Sequence, residues 1–244
     1  MDDGDNFVFC TYGFLRDMKP HRIDMNNINK FVYVPKIRYE DKEVEVTSEE
    51  LEKRYGKKST ICAYDYDASF FNEEVKKLNV KKFNKSFQQP QRILSFFKHI
   101  RESLLMFLND SRFNDDTTIF LFRSDMGIKD FDLDRANELL KTNDVVVEKF
   151  SGQGIRDFWF VFKKKNIETF ITLYDSYKEY LINTKNKTGK RPPRETPENI
   201  LHFHIKDFGN KIEQDPTVMC VDWRHVCNKY CGHHKGDTVI LGED

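Results

Sequence analysis

The chain has 244 residues, 39% hydrophobic and 33% charged, with Lys+Arg and Asp+Glu both at 40 and a formal net charge of zero. That length is enough to bury a core and sits between one domain and two. The balance lacks the basic excess with which nucleic-acid-binding domains displace counterions, so no nucleic-acid partner is expected.

No apolar run reaches the length of a membrane span, and the start, Met1-Asp2-Asp3-Gly4-Asp5, is acidic where a secretory signal would be basic. A cytoplasmic location is the expectation. The five cysteines (Cys10, Cys62, Cys220, Cys227 and Cys231) are odd in number and suggest free thiols rather than a disulfide framework.

The apolar run Phe7 to Tyr12 reads as a buried first strand, stopped by Gly13. Residues 19–58 are polar and read as an insertion with small elements of its own, among them a strand-like Phe31 to Val34 before Pro35. Ser48-Glu49-Glu50 looks like a helix start with acids in its first turn. Thr60 to Tyr64 predicts a second buried strand ending in Asp65-Tyr66-Asp67, and a helix follows from Phe70 to Leu78.

From Pro90 to Leu108 the apolar residues Ile93, Phe96, Phe97, Ile100, Leu104 and Phe107 recur at helical spacing. Thr117 to Phe122 is the clearest buried strand, and it delivers Arg123-Ser124-Asp125. Further elements are a helix at 134–141, a strand at Val145 to Val147 and a loop at 151–154. Asp157 then opens a strand at Phe158 to Phe162.

Asn166 is placed to cap a helix reaching Leu181. A basic loop at 185–194 precedes Thr196-Pro197-Glu198, which carries the cap, proline and acid of a helix start. Val218 to Val221 reads as a last strand before the tail. Strands alternating with helices predict an α/β domain spanning 1–244, its mostly parallel central sheet covered by helices on both faces.

In such sheets ligands bind beyond the carboxyl ends of the strands. Gly13 to Arg16, Asp65 with Asp67, and Arg123 with Asp125 would converge on that rim. Acids there can hold a divalent cation, and an arginine fork can neutralise phosphate, a combination suited to a diphosphate. Singly, each residue has a plainer explanation, since an acid after a strand commonly caps a helix or forms a turn.

The layout resembles the GT-A-fold glycosyltransferase-like proteins of large DNA viruses and of bacterial capsule or lipopolysaccharide clusters. The matching features are Gly-Phe-Leu-Arg at 13–16, Tyr64-Asp65, a long helix before the central strand, and Arg123-Ser124-Asp125. Asp157-Phe158, Phe170 to Tyr174 and Pro197 to His204 follow in order. The usual Asp-x-Asp is reduced here to Asp125, with Arg123 at the other position.

The resemblance implies a GT-A-like fold and transfer of sugar from a nucleotide-diphosphate sugar to a glycan or protein hydroxyl, in the host cytoplasm if the protein is viral. It implies that Gly13 lets the backbone approach the nucleotide, that Arg16 and Arg123 meet phosphate, and that Asp65 lies near base or ribose. Asp125 would bind manganese or magnesium, His204 would complete the metal or phosphate shell, and Asp157 would be the catalytic base. Asp65 with Asp67 is an alternative metal pair, because it keeps the literal Asp-x-Asp spacing.

Two other functions fit the same residues: a degenerate transferase fold kept for binding or structure, and a metal-dependent nuclease or phosphotransferase. The absence of a phosphate-cradling Gly-x-x-x-x-Gly-Lys-Ser/Thr loop counts against the latter. The tail from 215 to 244 carries Cys220, His225, Cys227, Cys231, His233 and His234, within the spacing range of zinc ligands. A structural zinc ion there would pin the C-terminus; otherwise these are exposed histidines and packed thiols.

Overall fold

Strand β1 (Phe7–Tyr12) is almost wholly buried, and its alternate side chains feed two separate cores. That burial on both faces is what a central strand of a covered sheet requires. The computed structural model describes residues 6–15, 21–39, 43–78, 90–151, 154–182 and 196–222.

After β1 come β2 (Asn29–Pro35), the hairpin β3 (Ile37–Tyr39) and β4 (Glu43–Glu45), α1 (Ser48–Tyr55) and β5 (Ser59–Tyr64). Then α2 (Ala68–Lys77) and α3 (Pro90–Leu108) lead to β6 (Thr118–Arg123) and β7 (Gly127–Phe131). Next are α4 (Leu133–Leu139), β8 (Val145–Val147), the short hairpin β9 (Phe150–Ser151) and β10 (Gly154–Ile155), and β11 (Trp159–Lys163). The described chain finishes with α5 (Glu168–Ile171), α6 (Leu173–Ile182), α7 (Pro197–Asp207), β12 (Ile212–Gln214) and β13 (Met219–Asp222).

Seven strands form the central sheet in the order β12-β8-β11-β6-β1-β2-β5. Every neighbouring pair is parallel except those made by β11, which runs antiparallel to β6 and β8. The carboxyl ends of β1, β2, β5, β6 and β8 therefore share one edge with the amino end of β11.

On one face Val8, Cys10 and Tyr12 pack with Phe97, Ile100 and Leu104 of α3 and with residues of α5, α6 and α7. On the other, Phe9, Phe120, Phe122 and Trp159 meet Leu51 and Tyr55 of α1, Ala136 of α4 and the β7–β13 ribbon. Each such fully buried large side chain contributes about 1.5–3 kcal/mol. The mainly parallel α/β sheet with helices on both faces is the expected fold class. Among the described residues no helix is long and apolar enough to cross a membrane.

Several boundaries follow from local chemistry. Thr47 closes a capping box with Glu50 at the start of α1, and Thr196 accepts from the Asn199 N–H ahead of Pro197 in α7. The expected elements at 7–12, 90–108 and 145–147 coincide with β1, α3 and β8.

Other expectations are corrected. Residues 19–58 are no appendage, because β2 lies inside the main sheet between β1 and β5 with Val32 and Val34 fully buried. Asn166 does not cap a helix: its amide donates to the Asp144 carbonyl, and the helix starts two residues later, at Glu168, without a side-chain cap. The single helix expected to Leu181 is two, divided at Thr172, whose hydroxyl bonds back to the Glu168 carbonyl. The expected last strand is present as β13 and pairs with β7 in a separate ribbon.

Candidate functional site

Arg123 ends β6 at the carboxyl edge of the sheet, and its guanidinium organises the site. Nε and Nη2 grip the two oxygens of Asp125 at 3.0 and 2.6 Å, and Nη1 lies 3.4 and 3.5 Å from those of Asp157. The Phe158 ring lies 5.7 Å from the guanidinium carbon. Arg123 and Asp157 keep 15% and 12% of their side chains exposed, and Asp125 only 4%. Burial works against the charged guanidinium, but the Asp125 and Asp157 carboxylates outweigh it and hold the proton more tightly than usual.

Two further side chains close the cluster. Tyr12, the last residue of β1, donates its hydroxyl to the Asp157 carbonyl at 2.6 Å. Burial, then the Asp157 charge, push its phenol well above the ordinary range. Glu198, in the first turn of α7, is pushed up to about 7 by burial and next by the charge of Asp157. Its Oε2 is buried with no hydrogen-bond partner.

The turn after β6 is fixed from three sides. The Ser124 N–H donates to the Tyr12 carbonyl at 2.7 Å, and the Ser124 hydroxyl donates to the Gly13 carbonyl at 2.8 Å. Arg54, buried in the last turn of α1, donates to the carbonyls of Ser124 and Met126. Gly13 has φ +92°, a conformation that favours glycine, so its use is to turn the chain at the rim.

At the β5 edge of the sheet Asp65 is 87% exposed and pairs with Lys36 at 3.1 Å. Its strand is three positions from β6 in the sheet, about 14 Å at ordinary strand spacing. The surface around it is aromatic. Tyr33 stacks on Tyr64 with centroids 4.6 Å apart, Phe14 meets Tyr66 at 4.7 Å, and His99 bonds the Tyr64 hydroxyl.

The expected site residues are thus partly gathered. Arg123, Asp125 and Asp157 form one cluster, Gly13 adjoins it through Ser124, and Asp65 stands apart on the same edge. Arg16 lies outside the described residues, as do the basic loop at 185–194 and the tail from 223 onward; of the proposed zinc ligands only Cys220 is described, and it is exposed.

The metal ligands are corrected. His204 is buried between α5, α6 and α7, where one ring nitrogen meets the Tyr180 hydroxyl at 2.8 Å and the other the Thr169 carbonyl at 2.8 Å. Both nitrogens are engaged in packing, and burial draws its pKa down to about 4. Asp67 caps α2, accepting from the Ser69 N–H and hydroxyl at 2.8 and 2.6 Å, so the literal Asp-x-Asp pair is half a helix cap.

Asp125 has both oxygens in the Arg123 fork. Among the described residues no group of three His, Cys, Asp or Glu side chains is arranged to hold a metal ion. A divalent cation beside Asp125 would also face the guanidinium charge. Among the described residues these donors do not fit manganese or magnesium.

Tyr12 and Glu198 were not legible as site residues. Tyr12 reads only as the end of a strand, and Glu198 only as a first-turn helix acid; spacing in the chain does not bring either to Asp157.

No protein-family model matches the chain, and no curated protein matches it. Among solved structures it is similar to a candidate nucleotide-diphospho-sugar transferase from Desulfovibrio desulfuricans G20. The identity is 10% and the TM-score 0.39, over 86% of this chain and 78% of that one. A likeness of that degree assigns neither fold nor activity, and the fold class rests on the sheet itself.

Proposed function

We propose that the chain is a GT-A-like glycosyltransferase that moves a sugar from a nucleotide-diphosphate sugar to a hydroxyl of a glycan or protein. The observation that carries this reading is the half-open Arg123–Asp157 contact at the ligand-binding edge of the sheet. Among the described residues the Asp157 carboxylate is held by long contacts only, and 12% of its side chain is exposed, so its lone pairs are available to an incoming hydroxyl.

In this reading the aromatic end of the rim beside Asp65 receives the base and ribose. The diphosphate lies across the Gly13 turn toward Arg123, and Arg16 adds a further phosphate contact. Asp157 takes the proton of the acceptor hydroxyl, the hydroxyl oxygen attacks the anomeric carbon, and the carbon–phosphate-oxygen bond breaks with its electron pair leaving on the diphosphate. A base positioned at hydrogen-bond distance is worth roughly 10²–10⁴ in rate.

A screen of nucleotide-sugars for acceptor-dependent nucleotide release, with and without manganese, tests this on wild type, Asp157→Asn and Asp125→Ala. Wild type is expected to turn over with at least one donor. Asp157→Asn should keep donor binding and lose transfer; loss of binding instead removes its role as base. A manganese-dependent rate abolished by Asp125→Ala would overturn the assignment of Asp125 as the partner of Arg123.

One observation favours a second reading. The Arg123 fork is already filled by Asp125, which leaves a single guanidinium nitrogen facing Asp157. A transferase fold retained for binding would look like this. It predicts no turnover and no rise in melting temperature with any nucleotide-sugar, since ligands stabilise the state they bind.

A further inference from the structure

The stretch 124–128, which carries Asp125, hangs by hydrogen bonds from residues far back in the chain. Arg54, in the last turn of α1, donates from Nη2 to the carbonyls of Ser124 and Met126 at 2.8 and 2.9 Å. The Ile128 N–H donates to His21 Nδ1 at 3.0 Å, and the Arg22 N–H donates to the Ile128 carbonyl at 2.9 Å. Arg54 is only 4% exposed, and Ser124 and Met126 are buried with it. Removing the guanidinium would therefore take the donor from two buried carbonyls at once, which is costly.

The rest of the turn is engaged too. The Met126 N–H closes it onto the Arg123 carbonyl at 3.1 Å, and Ser124 bonds to Tyr12 and Gly13. Arg123 and Asp125 are left to meet at the rim, where two carboxylates lie within reach of one guanidinium. Asp125 takes Nε and Nη2 at 3.0 and 2.6 Å, and Asp157 has Nη1 at 3.4 and 3.5 Å. As long as Nη2 is held by Asp125, the Nη1–Nη2 end of the guanidinium cannot close on Asp157 as a bidentate pair.

We infer that Arg54 is a positioning residue that decides which carboxylate Arg123 holds: by fixing the carbonyls of Ser124 and Met126 it keeps Asp125 on Nε and Nη2, and so leaves the Asp157 oxygens open to the acceptor hydroxyl. The use of those oxygens rests on the transferase reading, whereas the choice of carboxylate stands without it. Without the Arg54 guanidinium, the two carbonyls regain donors by rotation of the turn, which carries Asp125 off Arg123. Nη2 then joins Nη1 on Asp157. Lone pairs committed to a charge-assisted bidentate contact are poorly placed to take a proton from the acceptor.

A crystal structure of Arg54→Met tests the choice directly. It should show the 124–126 turn rotated and Arg123 paired through Nη1 and Nη2 with Asp157. An Arg123 that still holds Asp125 through Nε and Nη2 in this variant overturns the inference. In steady-state kinetics the variant should lose about 100-fold in kcat, the scale expected when a reacting group is displaced. The donor KM should stay within about threefold, since the loss falls on the chemical step. A kcat equal to that of wild type, or a loss confined to KM, overturns the role in transfer. Arg123 moved onto Asp157 in a protein whose wild type turns over no donor keeps the positioning role and sinks the transferase reading instead. Should Arg54→Met fail to fold, Arg54→Gln, whose shorter side chain fills part of the same space, is read by the same structure and rates.

Discussion

The middle and one edge of the sheet rim each carry an acid against a base, in opposite surroundings. Asp65 and Lys36 meet at 3.1 Å in water, exposed by 87% and 42%. Asp125 and Arg123 meet at 2.6 Å with 4% and 15% exposed, and Asp157 and Glu198 crowd the same cation. Solvent screens the first pair, whose worth is about 0–1 kcal/mol. In the second, each charge depends on the others, because none can be re-solvated when a partner is lost. Similar residue types thus make a replaceable surface contact at the edge of the sheet and a tightly coupled unit at its middle.

The comparison is most sharply broken by Arg123→Ala, which strands Asp125 and Asp157 without their cation. Urea denaturation should show a loss of about 3–5 kcal/mol, and a loss below about 1 kcal/mol would mean that water already reaches the cluster. Gly154→Ala is the next largest. It adds a methyl group against the Glu198 carbonyl at a backbone angle L-residues rarely adopt, and it should cost about 2 kcal/mol by the same measurement.

Glu198→Gln should act in the opposite direction, and only at higher pH. The carboxyl is raised to about 7 in the fold, so the stability it contributes is full below the glutamate range of the unfolded chain and falls as pH rises through 7. The Gln variant lacks that fall. Its melting temperature should exceed that of wild type at pH 8, by up to about 3 kcal/mol in stability, and by little at pH 4. A gain equal at both pH values would mean that packing, not charge, is responsible. The smallest effect is expected of Asp65→Ala, within about 0.5 kcal/mol at any salt concentration.

What the sequence determined by itself is what short-range physics dictates. Helical spacing of apolar residues located α3, runs of buried residues located β1, β6 and β8, and Thr-Pro-Glu located the start of α7. Strand–helix alternation was enough for a mostly parallel sheet, and so for a rim where Gly13, Asp65, Arg123 and Asp125 would meet. β2 was misjudged because Phe31 to Val34 is a short apolar run in polar surroundings, and only its neighbours β1 and β5 show that it is central.

Tertiary structure alone decided the partners. Asp67 and His204 have the composition of ligands, yet one caps a helix and the other ties three helices together. Tyr12 and Glu198 have no distinguishing spacing, yet the fold delivers both to Asp157. The physical reason is that periodicity reports which face of an element is buried, whereas the charge state and use of a polar group depend on neighbours brought from tens of residues away.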